Sequence, residues 1–546
     1  MREQGKRIDA SELYYLGKKA GEAKTAYDEG DDSRENQEIL DEYSEKEREF
    51  LAWYQSVMSN SDSSLTDYYK SVRNARQAFK QKIPEDILSQ ASNAEQTTGN
   101  SANSSGDDTA TRLLHPAFTI TAKKSIESFS ALPFRFDIAA NDQFGLQQKR
   151  VIDNKLKEIY TMQNVTNEMF YAYYLNIING LSITQTKTFK KNRTVLSREI
   201  DPETGMFAMK PVNSERVISI MAYDPLNTVP DLGAKVSNMT ETSEYVIITD
   251  KYITKDDAQT YYHYEGQRTF DTHKQNLAVD NGVSYDKFVP VREYYDRSGF
   301  FIKIVGDSKI ISIEQVSNGT VGKIPINIAP IWADPDSPTG ATTLWDYVKN
   351  MVILASRGLN LICDNVALNN NSPFFTFTGS GLEDNALLDE FNPREIVPVN
   401  PIGTNPNINN QLWKPTFPEV TQGTQAMFEN GQQLAFMLAG SSPINFGYQD
   451  KQIRVSGAAD MINSATIRPD SDVSRKMEVG FMNPTTWDIV QILYLYYEDF
   501  GFDEEVLPKE FLKELKHVRV VAGSYSNLSD ADLSYSNLSY SNLSRS

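Results

Sequence analysis

The chain has 546 residues, enough for two to four domains. Acidic residues outnumber basic ones 73 to 54, and the formal charge of −19 argues against a protein that grips nucleic acid through a broad basic face. The one cysteine, Cys363, excludes an internal disulfide and a cysteine-rich metal site. The N-terminus predicts no signal peptide and no apolar run reaches the roughly 18 residues of a membrane span, so we expect a soluble, multidomain protein.

Residues 1–88 predict an acidic helical region. Leu13, Leu16 and Ala20 lie at helical spacing, and the segment 28–49 carries eleven acids against three bases, a pattern typical of a solvated helix face. An apolar group at 50–54 predicts the anchor of this region. Residues 89–110 have almost no large apolar side chain, so we predict a disordered loop there.

The middle of the chain alternates between helix and strand patterns. Helical periodicity over 143–178 stops at Gly180, and residues 181–253 alternate in the manner of strands. Thr254, followed by two acids, predicts the N-cap of a short helix, and residues 286–332 return to strand.

The next part of the chain is mainly helical. Apolar and small residues repeat at steps of four and three through the segment 344–370, which predicts a long helix with a narrow apolar seam. The seam consists of Leu344, Val348, Met351, Ala355, Gly358 and Ile362. Further helices are predicted at 419–440, near 456–459 and around 487–497. Residues 525–544 resemble four pentapeptide repeats, too few to fold alone, and a low-complexity tail explains them equally well.

The sequence contains no pattern that predicts catalysis, a metal site or a cofactor. The four histidines, His115, His263, His273 and His517, share no metal-ligand spacing. Cys363 adjoins the apolar seam, which favours a packed thiol. We therefore expect that the protein is not an enzyme and holds no cofactor.

The order of elements resembles the portal proteins, the head-to-tail connectors, of short-tailed double-stranded DNA bacteriophages. The resemblance covers roughly residues 111–500. It depends on Asp224-Pro-Leu-Asn, Glu244-Tyr-Val-Ile-Ile-Thr-Asp, the block ending Ile324-Pro-Ile-Asn-Ile-Ala-Pro-Ile-Trp, the seamed helix 344–370, and Ile453-Arg-Val-Ser-Gly-Ala-Ala-Asp-Met at the start of a helix.

This resemblance implies an α+β portal fold with a helical stem, a mixed α/β wing, a strand-rich clip and a C-terminal crown or tail. Its parts would be an N-terminal region at the wing periphery (1–88), a loop (89–110), wing (111–253), a descending stem helix (254–285, best placed at 254–268), clip (286–342), ascending stem helix (343–370), wing (371–500) and crown or tail (501–546). The second wing segment would include a channel loop (400–416) and a long supporting helix (419–440).

The same resemblance implies a ring, usually of twelve copies, at one capsid vertex, with DNA passing weakly and without sequence preference through its channel. The implied partners are other copies of the chain, capsid and scaffolding proteins, the terminase large subunit and tail adaptors. No membrane is involved. The implied locations are the virion and, during assembly, the host cytoplasm.

Candidate site residues follow from this assignment. Asn405, Asn407, Asn409, Asn410 and Lys414 would lie in the channel loop and contact DNA, unless the segment is simply a solvent loop. Lys349 and Arg357, about 80° apart on the stem helix, would line the channel or pair with a neighbouring subunit. Terminase or adaptor docking on the clip would use Tyr294, Tyr295, Lys303 and Lys309.

Two other classes of protein stay open from the sequence. One is a different oligomeric virion or interaction protein that uses the pentapeptide-like tail, which deletion of 523–546 would test. The other is an enzyme whose site is dispersed along the chain, which a converging set of catalytic groups would reveal.

Overall fold

The molecule is described from a computed structural model, which covers these residues: 7–28, 34–84, 113–130, 135–139, 145–200, 207–235, 238–264, 288–332, 334–370, 374–377, 396–399, 412–413, 422–438 and 476–521. Helices and antiparallel sheets both occur, which confirms the α+β class. Within these ranges, no helix combines the length and apolarity that crossing a membrane demands.

The helices have the following bounds: α1 Ala10–Asp28, α2 Arg34–Phe79, α3 Ala117–Ser130, α4 Leu146–Thr161, α5 Gln163–Asn179, α6 Met239–Thr242, α7 Lys255–Tyr262, α8 Leu344–Asn370, α9 Gln422–Leu438, α10 Asn483–Leu495 and α11 Lys509–Lys513. A π-helical turn, Glu478–Met482, precedes α10.

The strands have these bounds: β1 Arg135–Ala139, β2 Leu181–Ile200, β3 Phe207–Ala222, β4 Thr228–Pro230, β5 Tyr245–Thr254, β6 Phe288–Asp296, β7 Phe300–Val305, β8 Lys309–Gln315, β9 Asn327–Pro330, β10 Phe374–Phe377, β11 Ile396–Val399, β12 Leu412–Trp413 and β13 His517–Val521. Their sheets are ordered β4-β5-β6-β7-β8, β3-β2-β9, β11-β10-β12 and β1-β13.

Local sequence signals explain several helix ends. The predicted helix 143–178 is divided at Met162, whose extended backbone (ψ 136°) ends α4 before α5 begins. Gly180 ends α5 in the left-handed region (φ 76°), and a Cβ atom there would lie 1.8 Å from the Thr342 carbonyl oxygen. Thr254 caps α7 as predicted, because its hydroxyl accepts the N–H of Asp257 at 3.1 Å.

The predicted descending stem helix is shorter than expected. Helix α7 makes only about two turns, because His263 adopts the left-handed conformation (φ 50°) and closes it after Tyr262. The rest of the predicted segment, from residue 265, lies outside the described residues.

The chain divides into two compact units. The first comprises Met1–Arg73, Lys124–Leu344 and Arg468–Ser546, and the second comprises Asn74–Lys123 and Trp345–Ile467. Strands from the predicted wing and from the predicted clip belong to the same sheet of the first unit. Strand β5, from the predicted wing, pairs with β6, from the predicted clip, along the register Tyr245↔Asp296 to Thr254↔Phe288.

The N-terminal helices belong to the main core of the first unit. Phe50, Tyr54 and Leu65 of α2 are fully buried in the same apolar cluster as Ile247 and Ile302 of the five-stranded sheet. The predicted anchor at 50–54 is thereby confirmed, and the place of residues 1–88 at the wing periphery stays a prediction. Acidic residues earlier in α2, including Asp41 and Glu42, are exposed as the charge run predicts.

In the second unit, α8 and α9 approach each other backbone to backbone. A Cβ atom on Gly431 would lie 2.7 Å from the Ala355 nitrogen, and one on Gly358 would lie 2.9 Å from the Phe428 nitrogen. Such distances require glycine at both positions. The apolar seam predicted for α8 is therefore covered in part by the chain itself.

Candidate functional site

Helix α8 carries a second apolar stripe beside its buried seam. Tyr347, Leu354 and Leu361 recur at intervals of seven residues, which keeps them on one side of the helix with a drift of only about 20° per step. Leu354 is half-buried, whereas the exposed fractions of Tyr347 and Leu361 are 45% and 51%. We call these three residues the outer stripe.

The two basic residues predicted on α8 have different surroundings. Lys349 donates to the carboxylate of Asp346 at 3.1 Å, so its charge is partly compensated within the helix. Arg357 is exposed and forms no ion pair with any residue the structure describes. It lies about 60° to 80° around the helix from Leu354 and Tyr347, next to the outer stripe.

The predicted docking residues separate into buried tyrosines and accessible lysines. Tyr294 and Tyr295 are fully buried, so their predicted role in docking a partner is wrong. Tyr294 packs against Phe50, Trp53 and Tyr245. Both faces of β6 are covered, and adjacent residues of a strand point to opposite faces, so both rings are enclosed.

Lys303 and Lys309 are more accessible. Lys303 pairs with Glu314 at 3.2 Å across β7 and β8, and Lys309 donates to the backbone carbonyl of His263 at 3.0 Å. The structure places these lysines on the neighbouring strands β7 and β8. Their predicted docking role stays a prediction.

Tyr295 belongs to an enclosed polar cluster. Its hydroxyl donates to Glu293 at 2.5 Å and lies 3.2 Å from the Gln185 side-chain oxygen, which also accepts from Tyr223 at 2.8 Å. Lys187 donates to the same Glu293 carboxylate at 3.3 Å. Burial raises the pKa of Tyr295 well above its usual range. Gln185, Glu293 and Tyr295 are all buried. The cluster therefore provides hydrogen-bond partners for buried polar groups and helps to orient the strands.

An open groove lies in the first unit beside the start of α10. It has a volume of about 1440 Å³ and is bounded by α6, β9, the π-helical turn and the first turns of α10. A Cβ atom on Gly480 would lie 2.7 Å from the Ala329 Cβ, so glycine lets the π-helical turn pack closely on β9. A second cavity of about 370 Å³ shares Trp487 and Gln491 with it and continues along α10 to Leu495.

The groove has an apolar wall and a basic rim. Its apolar residues are Met239, Ile328, Ala329, Pro330, Pro335, Val479, Pro484 and Trp487. The rim contains Lys235, Lys323 and Lys476 against a single acid, Glu241. No sequence pattern indicates this groove, because its lysines are 88 and 153 residues apart and share no motif.

The described residues offer no metal-binding constellation. They contain no group of three His, Cys, Asp or Glu side chains placed to hold a metal ion. His115 accepts the N–H of Ala117 at 3.2 Å, and burial lowers its pKa. Cys363 is a free, half-buried thiol on α8, consistent with the packing role predicted for it.

Several predicted features lie outside the described residues. They are the loop 89–110, the helix near 456–459, the tail repeats 525–544, and all five channel-loop candidates, Asn405, Asn407, Asn409, Asn410 and Lys414. Of the segment 400–416, only Leu412 and Trp413 are described, as a short strand paired with β10.

Comparison with known proteins adds no family assignment, because no family model matches the chain and no curated protein matches its sequence.

Proposed function

We propose that the chain is the subunit of a portal ring, twelve-fold by its family resemblance, at one vertex of a bacteriophage capsid. The ring would conduct double-stranded DNA during packaging and ejection. It would dock capsid and scaffolding proteins, the terminase large subunit and tail adaptors. The protein performs no catalysis in this role.

The outer stripe of α8 is the observation that carries this proposal. Burial of exposed apolar surface stabilises a complex by about 25 cal/mol for each Å² removed from water. Exposed apolar stripes such as this one are typical of interaction sites. In a ring, the stripe of one copy packs on a neighbour. Arg357, exposed beside the stripe, would form an ion pair with that neighbour or line the channel.

Two further features support the proposal. The long α8 follows the strands up to β9 and is itself followed by its packed partner α9, an order of elements that supports the resemblance. The formal charge of −19 per subunit also suits a conduit, because DNA phosphates must slide past without firm adhesion.

The test is native mass spectrometry with negative-stain imaging of the full chain and of two charge insertions on α8. Leu361→Glu places a carboxylate on the outer stripe. Val366→Glu is the matched control, because Val366 is 49% exposed but lies about 140° around the helix from Leu361. We expect closed rings of about twelve copies for the natural chain and for Val366→Glu, and smaller species for Leu361→Glu.

Both substitutions replace exposed residues, so thermal unfolding of the subunit should be little changed. A natural chain that stays monomeric, or forms a compact dimer, over a wide concentration range would contradict the proposal. Equal assembly of the two variants would remove the observation that carries it.

A further inference from the structure

The groove beside α10 is too large and too open for a typical small ligand. Its volume of about 1440 Å³ exceeds the usual 300–1,000 Å³ of small-molecule sites, and the adjoining cavity lengthens it along α10. The apolar side chains at its wall include Val479, of which 56% is exposed. A polypeptide segment matches this shape better than a metabolite does.

The charge of the groove selects the chemistry of that segment. Three lysines face one glutamate there, in a chain whose formal charge is −19. Lys235 and Lys323 form no ion-pair contact with a described residue, although the charge of Lys323 also acts on the buried Asp488 carboxyl and offsets part of the rise in its pKa that burial causes. A segment that carries several carboxylates beside an apolar side chain is therefore complementary to it.

The chain itself presents such a segment just beyond the other end of α10. Asp503, Glu504, Glu505 and Val506 are four consecutive exposed residues, and none of the three acids forms an ion pair within the described part of the chain. We call residues 503–506 the acidic turn.

Hydrogen bonds within the chain hold the acidic turn in one conformation. The N–H groups of Val506 and Leu507 donate to the Asp503 carbonyl oxygen at 3.0 and 2.8 Å, and the Glu505 N–H donates to the Asp503 carboxylate at 3.0 Å. Leu507 is fully buried and fixes the end of the turn. A pre-ordered turn loses little conformational entropy on binding.

We propose that the groove of one copy binds the acidic turn of a second copy. The carboxylates of Glu504 and Glu505 would face Lys235 and Lys476, and Val506 would contact the apolar wall near Val479 and Trp487. Because the groove and the acidic turn are different patches of the subunit, the contact is head-to-tail. Repetition of such a contact forms a ring when the rotation between neighbouring copies closes, and an open chain when it does not. The inference therefore deepens the proposed portal function and depends on it for closure.

A charge swap between two full-length variants tests this contact. Lys235→Glu with Lys476→Glu gives a groove variant, and Glu504→Lys with Glu505→Lys gives a turn variant that keeps Asp503. Each variant alone juxtaposes like charges, so we expect its apparent dissociation constant for assembly to rise about tenfold or more. In an equimolar mixture both kinds of contact become complementary, and assembly should return to within about threefold of the natural chain.

Lys18→Glu with Lys19→Glu is the control, because it makes the same charge change at exposed positions of α1 and should leave assembly unchanged. Circular dichroism confirms that each variant is folded. Assembly of both variants alone as well as the natural chain would overturn the inference while leaving the ring intact. The same holds for a mixture that fails to recover.

Failure of the portal proposal looks different. If the mixture recovers but yields only dimers or open chains, the contact between groove and turn is supported and the closed ring is contradicted. If the mixture recovers closed rings, both proposals are supported.

Discussion

The five-stranded sheet and helix α8 differ in how much of their apolar surface the chain itself covers. In the sheet, β6 is buried along almost its whole length, and the charged pair Arg292 and Asp307 is enclosed with Tyr54. Helix α8 buries its seam but leaves Tyr347 and Leu361 about half exposed. Strand β6 is covered by its own chain, whereas α8 keeps apolar side chains exposed to solvent.

This difference separates residues that stabilise the subunit from residues available for assembly. Changes in the sheet should lower the free energy of unfolding, because they leave a buried group without its partner. Changes on the outer stripe should leave that free energy nearly unchanged and act on assembly. The following predictions test this contrast, in order of decreasing effect on stability.

Neutralising the buried charge pair should have the largest effect. Asp307→Asn keeps the size of the side chain and suits the left-handed backbone at this position (φ 59°), but removes the carboxylate that pairs with the buried Arg292 guanidinium. We expect the free energy of unfolding to fall by about 3 kcal/mol, measured by urea denaturation. Glu314→Gln, in the accessible pair with Lys303, is the control and should cost less than about 1 kcal/mol. Equal losses would contradict the contrast.

A buried carboxyl in α10 should make stability depend on pH. Burial raises the pKa of Asp488 to about 6, while Asn327 donates to it at 3.0 Å. The folded chain therefore holds this proton more tightly than the unfolded chain, and the free energy of unfolding falls as the pH rises from about 4 to 6. The loss amounts to about 3 kcal/mol.

Asp488→Asn removes this titration and keeps the shape of the side chain. Relative to the natural chain, the variant should therefore gain about 3 kcal/mol between pH 4 and pH 7, measured by urea denaturation at each pH. A stability difference that stays constant over that range would show that Asp488 does not titrate as described.

Crowding the inner side of α8 should have a smaller effect. Gly358→Ala places a methyl group 2.9 Å from the Phe428 nitrogen, which forces α8 and α9 apart. The gain in helix propensity offsets part of this strain, so we expect a net loss of about 1 to 2 kcal/mol in thermal unfolding. At Gly21 in α1, an added Cβ atom would meet no packed neighbour within 4 Å. Gly21→Ala should therefore raise the free energy of unfolding by about 0.5 to 1 kcal/mol. The same sign for both would contradict the close packing of α8 and α9.

Features set by local rules could be predicted from the sequence. The bounds of α8, the stop at Gly180 and the cap at Thr254 each depend on residues within a few positions. The burial of both Tyr294 and Tyr295 could not be predicted, because it requires α2 on one face of β6, while on the other Tyr295 stacks on Phe301 and bonds to Gln185 of β2. The pairing of β5 with β6 likewise joins two segments whose nearest ends, Thr254 and Phe288, are 34 residues apart in the chain.

The candidate surfaces show the same limit. The seam of α8 was visible as a periodicity, but only the packing of α9 shows which side is covered and which stripe remains outside. The groove depends on three lysines brought together by α6, β9 and the π-helical turn, which no spacing in the sequence records. The acidic turn is a short run of charge in the sequence, and its exposure is set by the fold.

The most direct test of the central claim is a cryo-electron microscopy reconstruction of the assembled natural chain. Our account predicts a closed ring with a central channel in which Tyr347, Leu354 and Leu361 of each copy are buried against the neighbouring copy. A ring held together by other surfaces, with this stripe in solvent, would contradict the account of α8. A compact dimer without a channel would contradict the proposed function itself.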